Sequence, residues 1–182
     1  MKIKIENFRV INKPDLPRLK AVTDIVLDEI IMIKDIKLIE NNNEQFIAMP
    51  CRKGTTGEFR DICHPTDINL RRDIERAIKE HFKYGMYTDG FKEDIKITEV
   101  KVKKIDLNSP LKVVASVLFN NKFVVHDIKL VERAAIDSTQ TRFELYMPTK
   151  KVDENFVKVV DLLNENLCKE ILEKIVKQYK GM

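Results

Sequence analysis

"HDIKLVE", residues 126–132, repeats "KDIKLIE", residues 34–40, and the match marks a duplication inside the chain. Upstream, "IKIENFRV" (Ile3 to Val10) returns as "IKITEVKV" (Ile95 to Val102) at the same spacing, so residues 3–40 align with 95–132 without a gap. Downstream, "AMP" (Ala48 to Pro50) meets "YMP" (Tyr146 to Pro148), and Phe59 meets Phe156. Leu70, Ile74, Ile78 and Phe82 meet Leu167, Ile171, Ile175 and Tyr179. The chain is therefore a tandem repeat of one supersecondary unit, a reading that has to come before any assignment of elements. The second copy carries a six-residue longer turn at "RAAIDSTQT" (Arg133 to Thr141).

Each copy opens with the period-two alternation of a strand, and in both the apolar phase slips: Ile3, Ile5, then Phe8, Val10, and Ile95, Ile97, then Val100, Val102. A one-residue slip turns side chains to the other face, so the slip predicts a bulge shared by both copies. "LKAVTDIVLDEIIMIKDIKLIE" reads as two strands around Asp28-Glu29. The matching turn is Asn120-Asn121, and Asn tolerates the positive φ of a tight hairpin. A fourth strand, "EQFIAMP" or "RFELYMP", ends at a proline that cannot donate to a ladder. After a loop, each copy closes with an amphipathic helix, one apolar face holding Leu70, Ile74, Ala77, Ile78 and Phe82, the other Leu163, Leu167, Ile171, Ile175 and Tyr179.

An antiparallel sheet of about four strands with a helix over its apolar face is a complete two-layer unit. The expected fold class is α+β, twice, over residues 1–84 and 92–182. The two-glycine segment "KYGMYTDGFKED" (Lys83 to Asp94) joins the copies. Units this small leave apolar surface to hide, so the copies are expected to dock as an intrachain pseudo-dimer, like a homodimer whose halves have been fused.

The chain has 182 residues, and 33 Lys and Arg against 29 Asp and Glu leave a net charge of only +4, so any electrostatic footprint is a patch. Met1 to Lys20 is basic, whereas the terminal helical stretch, Asp153 to Lys180, is balanced. Three irregularly spaced cysteines (Cys51, Cys63, Cys168) point to reduced thiols and a cytoplasmic protein. The N-terminus lacks the apolar run of a signal peptide, and no window has the length of apolar residues that a membrane span needs.

"GEFRDICHP" (Gly57 to Pro65) separates the copies. Its counterpart is "ENFVKVVDL" (Glu154 to Leu162), in which only the phenylalanine survives. The fold tolerates both versions, so the residues lost from the second copy are free to serve a site in the first. With "HDIKLVE" after an apolar strand and "FIAMPCRK" (Phe46 to Lys53), this stretch resembles the SpoVG family, small bacterial proteins linked to septation and sporulation. The resemblance covers most of residues 1–83 and, more weakly, 95–180. It implies a small α+β dimer acting as a site-selective DNA- or RNA-binding regulator with no enzymatic role and no cofactor. This chain departs from the family pattern at Lys34, where the second copy keeps His126, and in the basic loop that the second copy has lost.

Arg52 and Lys53 in the loop, Arg60 after it, and Arg71 and Arg72 at the helix start are the expected nucleic-acid contacts, because phosphate attraction needs clustered cations and arginine adds bidentate geometry. The alternative for the same residues is a solvated surface, with Arg60 paired to Asp61 or Glu58. Phe59, retained in both copies, is expected to be a core anchor, so no aromatic platform accompanies the cations. His64 and Pro65 lead into a helix capped by Thr66 or Asp67 and read as structural. No metal is expected, since Cys51, Cys63 and His64 lack paired C-x-x-C ligands and an evident fourth partner. Adjacent Cys63 and His64 lack an orienting third group for nucleophilic catalysis. His126 and Asp127, inside one strand, should point to opposite faces. The reading is a non-enzymatic nucleic-acid-binding regulator; the alternative is a protein-interaction module of the division machinery whose basic loop meets an acidic partner.

Overall fold

Asp28 and Glu29 sit in the left-handed region (φ 49° and 62°), as do Asn120 and Asn121 (φ 51° and 54°). Two consecutive left-handed residues give the turn whose twist suits a tight hairpin. Each is closed by one bond, Ile30 N–H to the Leu27 carbonyl at 3.0 Å and Lys122 N–H to the Phe119 carbonyl at 2.8 Å. Around these turns a computed structural model of the chain, describing residues 1–54, 56–87, 90–105, 108–134, 141–152 and 154–182, lays out the same order of elements twice. The first repeat runs β1 (Ile3–Val10), β2 (Leu19–Leu27), β3 (Ile31–Asn41), β4 (Glu44–Ala48), β5 (Cys51–Lys53), β6 (Phe59–Asp61), β7 (Cys63–Pro65) and α1 (Ile68–Tyr84). The second runs β8 (Ile97–Lys104), β9 (Leu111–Phe119), β10 (Phe123–Ala134), β11 (Thr141–Tyr146), β12 (Thr149–Val152), β13 (Asn155–Lys158), β14 (Val160–Leu162) and α2 (Glu165–Lys180).

The repeats complete each other's sheets. β7 leaves the first repeat to pair antiparallel with β10, Cys63 opposite Val125 and Pro65 opposite Phe123. β14 leaves the second to pair with β3, Val160 opposite Ile33 and Leu162 opposite Ile31. Each main sheet therefore has five strands, one more than the sequence suggests, and the fifth comes from the other repeat. The exchange continues past the ladder, with Lys34 N–H on the Val159 carbonyl and His126 N–H on the Ile62 carbonyl, both at 2.8 Å.

Both helices are started by side-chain caps. Asp67 Oδ1 accepts from Leu70 N–H at 2.8 Å and Asn164 Oδ1 from Leu167 N–H at 3.0 Å, each satisfying a donor that the first turn leaves orphaned. Gly85 ends α1 in the left-handed region at φ 73°, where its N–H reaches the His81 carbonyl at 2.8 Å. Leu70, Ile74, Ala77 and Ile78 of α1, and Leu167, Ile171 and Ile175 of α2, are buried. They join Ile25, Ile33, Val117, Phe119 and Phe123 in one cluster that spans both repeats. Each Leu, Ile, Val and Phe side chain among them contributes about 1.5–3 kcal/mol by leaving water. Glu93, before β8, receives the Met1 amino group at 2.8 Å and Lys122 Nζ at 2.7 Å; the Lys122 ammonium first, then the terminal amine, holds its carboxyl down at about 2.

Four details differ from the sequence reading. β8 occupies the place of β1 two residues later than the gap-free alignment puts it: Ile3 pairs with Leu27, and Ile97, not Ile95, pairs with Phe119. Outside the stretch between the bulges the shift is two residues, which keeps side chains on their faces, so alternation cannot detect it. Both strands bulge, but at different points, between Glu6 and Arg9 in β1 and between Ile97 and Glu99 in β8. The terminal helix starts only at Glu165, after the short strands β13 and β14; Leu163 precedes its cap and is exposed rather than on the buried face. The segment after Pro50 is a two-stranded ribbon, not a loop, and β12–β13 repeats it. The longer turn of the second copy falls mainly on residues 135–140, and the joining segment includes 88–89, both outside the described residues.

Candidate nucleic-acid interface

The β5–β6 ribbon stands on Ile62, which is 1% exposed and whose N–H bonds the Pro50 carbonyl at 2.8 Å. Its register sets Cys51 opposite Asp61, Arg52 opposite Arg60 and Lys53 opposite Phe59. At its tip, Gly54 N–H bonds the Glu58 carbonyl at 2.7 Å, and Gly57 takes φ 92°, a conformation a side chain would strain. Like charges directly opposite repel, and both arginines are answered: Arg52 reaches Asp127 Oδ1 at 2.8 Å and Arg60 reaches Glu58 Oε1 at 2.7 Å.

The ribbon of the first repeat thereby overhangs the outer face of the second repeat's sheet. Between them lies a cleft of about 640 Å³, walled by Arg52, Phe59, Arg60 and Asp61 from the ribbon and floored by Lys101, Lys103, Ser116, His126 and Asp127, with His64 of β7 at the junction. His126 and Asp127 both line it, contrary to the expectation of opposite faces. Asp127 is left-handed at φ 61°, and the β10–β9 register breaks between Val125 and Ile128. The bulge cancels the alternation and re-aims the pair. Ser116 Oγ and His126 Nδ1 share a hydrogen bond of 2.8 Å, and the His64 and His126 rings stand 5.3 Å apart. Burial, then the neighbouring His64, lower the His126 pKa, with Asp127 and Asp61 pulling the other way. His64 Nδ1 is buried without a hydrogen-bond partner among the described residues.

Of the five cations expected from the sequence, the fold brings Arg52 and Arg60 into the cleft. Lys53 lies across the ribbon from Phe59 and outside the lining, and Arg71 and Arg72 are exposed on the first turn of α1, also outside it. The reading missed Lys101 and Lys103, although their alternation with Val100 and Val102 in "EVKVKK" marks a strand with one cationic face. Phe59 is not a core anchor: it is 71% exposed, and Phe156 is 73% exposed, because a two-stranded ribbon has no second layer to bury it against. Pro65 is buried in the exchanged strand, and Asp67 rather than Thr66 is the cap. Cys63 faces the core, its thiol pKa pushed up by burial, while His64 on the same strand faces the cleft, so alternation keeps the two from acting on one ligand. Among the described residues no cluster of His, Cys, Asp and Glu is arranged to hold a metal, and no helix is long and apolar enough to cross a membrane.

The other half of the molecule carries the same frame with different chemistry. Lys150 of β12 is ion-paired with Asp35, itself left-handed at φ 65°. Around this pair the counterparts of His126, Ser116, Arg60 and His64 are Lys34, Asp24, Val157 and Asp161. Asp24 is occupied by Asn7 Nδ2 at 2.8 Å and Asp35 N–H at 3.0 Å.

Fold and site together define a class: a tandem α+β protein in which two copies of one unit exchange a strand, with a histidine-containing basic cleft between them. The sequence profile of SpoVG matches residues 1–84 and again 95–181, and the chain belongs to the SpoVG family. A protein of Caldanaerobacter subterraneus named "Putative septation protein SpoVG" is 40% identical over 91 residues, which are 50% of this chain and 100% of that protein. Its namesake from Desulforudis audaxviator is 34% identical over 82 residues, 45% of this chain and 93% of that protein. A Staphylococcus aureus namesake is 44% identical over 61 residues, 34% of this chain and 61% of its own length. These relatives match about half of this chain or less, as two tandem copies require.

Proposed function

We propose that this chain is a regulatory protein of septation, the process named for its relatives, and that it works by binding nucleic acid in the cleft between its repeats. The observation that carries the reading is that Arg52 and Arg60 from one repeat and Lys101 and Lys103 from the other line one open concavity. Four cations against the two lining carboxylates, Asp61 and Asp127, favour a polyanion, and the two arginines have the planar geometry that suits phosphate. Binding rather than catalysis fits the Ser116–His126 pair. Among the described residues no carboxylate hydrogen bond orients His126, and the two residues stand on paired strands whose N–H groups are largely committed to the ladder and make no oxyanion hole.

The test is binding of labelled DNA and RNA by the full chain across a salt series. Affinity should fall steeply with salt, and Arg52→Glu with Arg60→Glu should weaken it by tenfold or more. No binding at low salt, or no change in the double variant, would remove the reading. Pull-down of an acidic protein that survives nuclease, without nucleic-acid affinity, would replace it with the interaction-module reading.

A further inference from the structure

We infer that the cleft takes a single strand, seating one unstacked base on Phe59 and its flanking phosphates on Arg60, Lys101 and Lys103, and that the chain has one such site rather than two. The inference rests on the nucleic-acid reading and narrows it. Phe59 leaves most of its ring in water on a two-stranded ribbon, yet stands at the wall of a cleft that also holds Arg52, Arg60, Lys101 and Lys103, against the two carboxylates Asp61 and Asp127. An exposed aromatic face among cations is the arrangement on which successive bases of a single strand stack; in a duplex the base faces are already occupied. A concavity of about 640 Å³ has room for a nucleotide or two, not for the width of a double helix.

The floor has matching chemistry. Lys103 has no ion-pair partner among the described residues, and Lys101 meets Glu99 only at the surface, at 3.2 Å. Ser116, His126 and the unpartnered Nδ1 of His64 offer donors and acceptors for a base edge. The single stoichiometry follows from the other side. Phe156 is as exposed as Phe59, but Val157 replaces the arginine beside it, Asp161 and Asp24 replace His64 and Ser116, and Lys150 is held by Asp35. Asp161, paired with Lys158 at 3.2 Å, and Asp24, taken by Asn7 and the Asp35 N–H, put negative charge where the first cleft has His64 and Ser116, and that disfavours a phosphate chain there.

The experiment is fluorescence anisotropy of a labelled mixed-sequence oligonucleotide about a dozen nucleotides long, single-stranded and as a duplex, with the full chain and with Phe59→Leu, Phe156→Leu and Lys101→Glu/Lys103→Glu, each checked for native circular dichroism. The single strand should bind more tightly, at one site per chain. Phe59→Leu should weaken it roughly tenfold by losing the stacking face while keeping apolar bulk. Phe156→Leu should leave it unchanged, and the lysine pair should lower the salt slope by about 1.4, two phosphate contacts at about 0.7 each. A duplex preference, two equivalent sites, or equal loss from Phe156→Leu and Phe59→Leu overturns the inference while nucleic-acid binding stands. Absence of binding to either form at low salt overturns that reading and the inference with it.

Discussion

The two ribbons make the useful comparison. β5–β6 and β12–β13 leave the same point of the same unit, carry an exposed phenylalanine at the same position, and tie down through an ion pair to a left-handed aspartate on the other repeat, Arg52 to Asp127 and Lys150 to Asp35. What they overhang differs. One covers a face bearing His126 and Ser116, the other a face bearing Lys34 and Asp24. Backbone geometry and anchoring belong to the shared frame, and the side chains between the anchors were free to diverge. A duplicated unit whose copies complete each other must keep both frames to fold, and under the proposed function needs only one of them to bind.

The largest effect should come from breaking the frame. Val160→Asp in β14 and Cys63→Asp in β7 each place a carboxylate without a partner at a fully buried position of an exchanged strand. Each is expected to cost about 3–5 kcal/mol. Both should abolish one common unfolding transition seen by urea and circular dichroism, since the core is continuous across the repeats. Survival of one repeat with its sheet intact would break the equivalence.

A finer test compares the caps. Asp67→Ala and Asn164→Ala remove side-chain acceptors at matching helix starts. Each should lower stability by about 1 kcal/mol in the same urea assay, and clearly unequal values would mean that the helices are not held alike.

The smallest effect is expected from protons, and it should appear in one cleft only. Burial favours neutral His126, whereas a bound phosphate raises its pKa, so binding takes up a proton and affinity rises as pH falls below the ordinary histidine value of about 6.5. The carboxylates Asp127 and Asp61 and the neighbouring His64 face the same ring and temper the change, so a several-fold gain between pH 7 and pH 5.5 is expected. His126→Gln should flatten the profile in a titration of single-strand affinity against pH, and an unchanged profile would take His126 out of the site.

The residues that announced the fold were those with local chemistry. Asn120-Asn121 needs positive φ, the apolar faces of α1 and α2 follow helical period, and the prolines end β4 and its counterpart. Each signal is written in a few neighbouring positions. The site was legible only in part. Arg52 and Arg60 were found because they share a loop sequence. Lys101 and Lys103 were missed because they belong to the other copy and reach the cleft only through the strand exchange. Phe59 reads as a core anchor because an apolar residue kept in both copies usually marks a core, and nothing local says that a ribbon lacks a second layer. His126 and Asp127 were sent to opposite faces because alternation assumes an unbroken strand, and the bulge between Val125 and Ile128 breaks it.

The duplicated unit, its α+β class, its turns and its helix faces are written in short stretches of chain, because propensity, periodicity and turn chemistry act over a handful of residues. Which repeat's strand closes which sheet, and hence that a cationic cleft is assembled from both halves, emerges on folding. Those pairings depend on contacts between residues some sixty to over a hundred positions apart, Cys63 with Val125 and Val160 with Ile33, and no local rule specifies them.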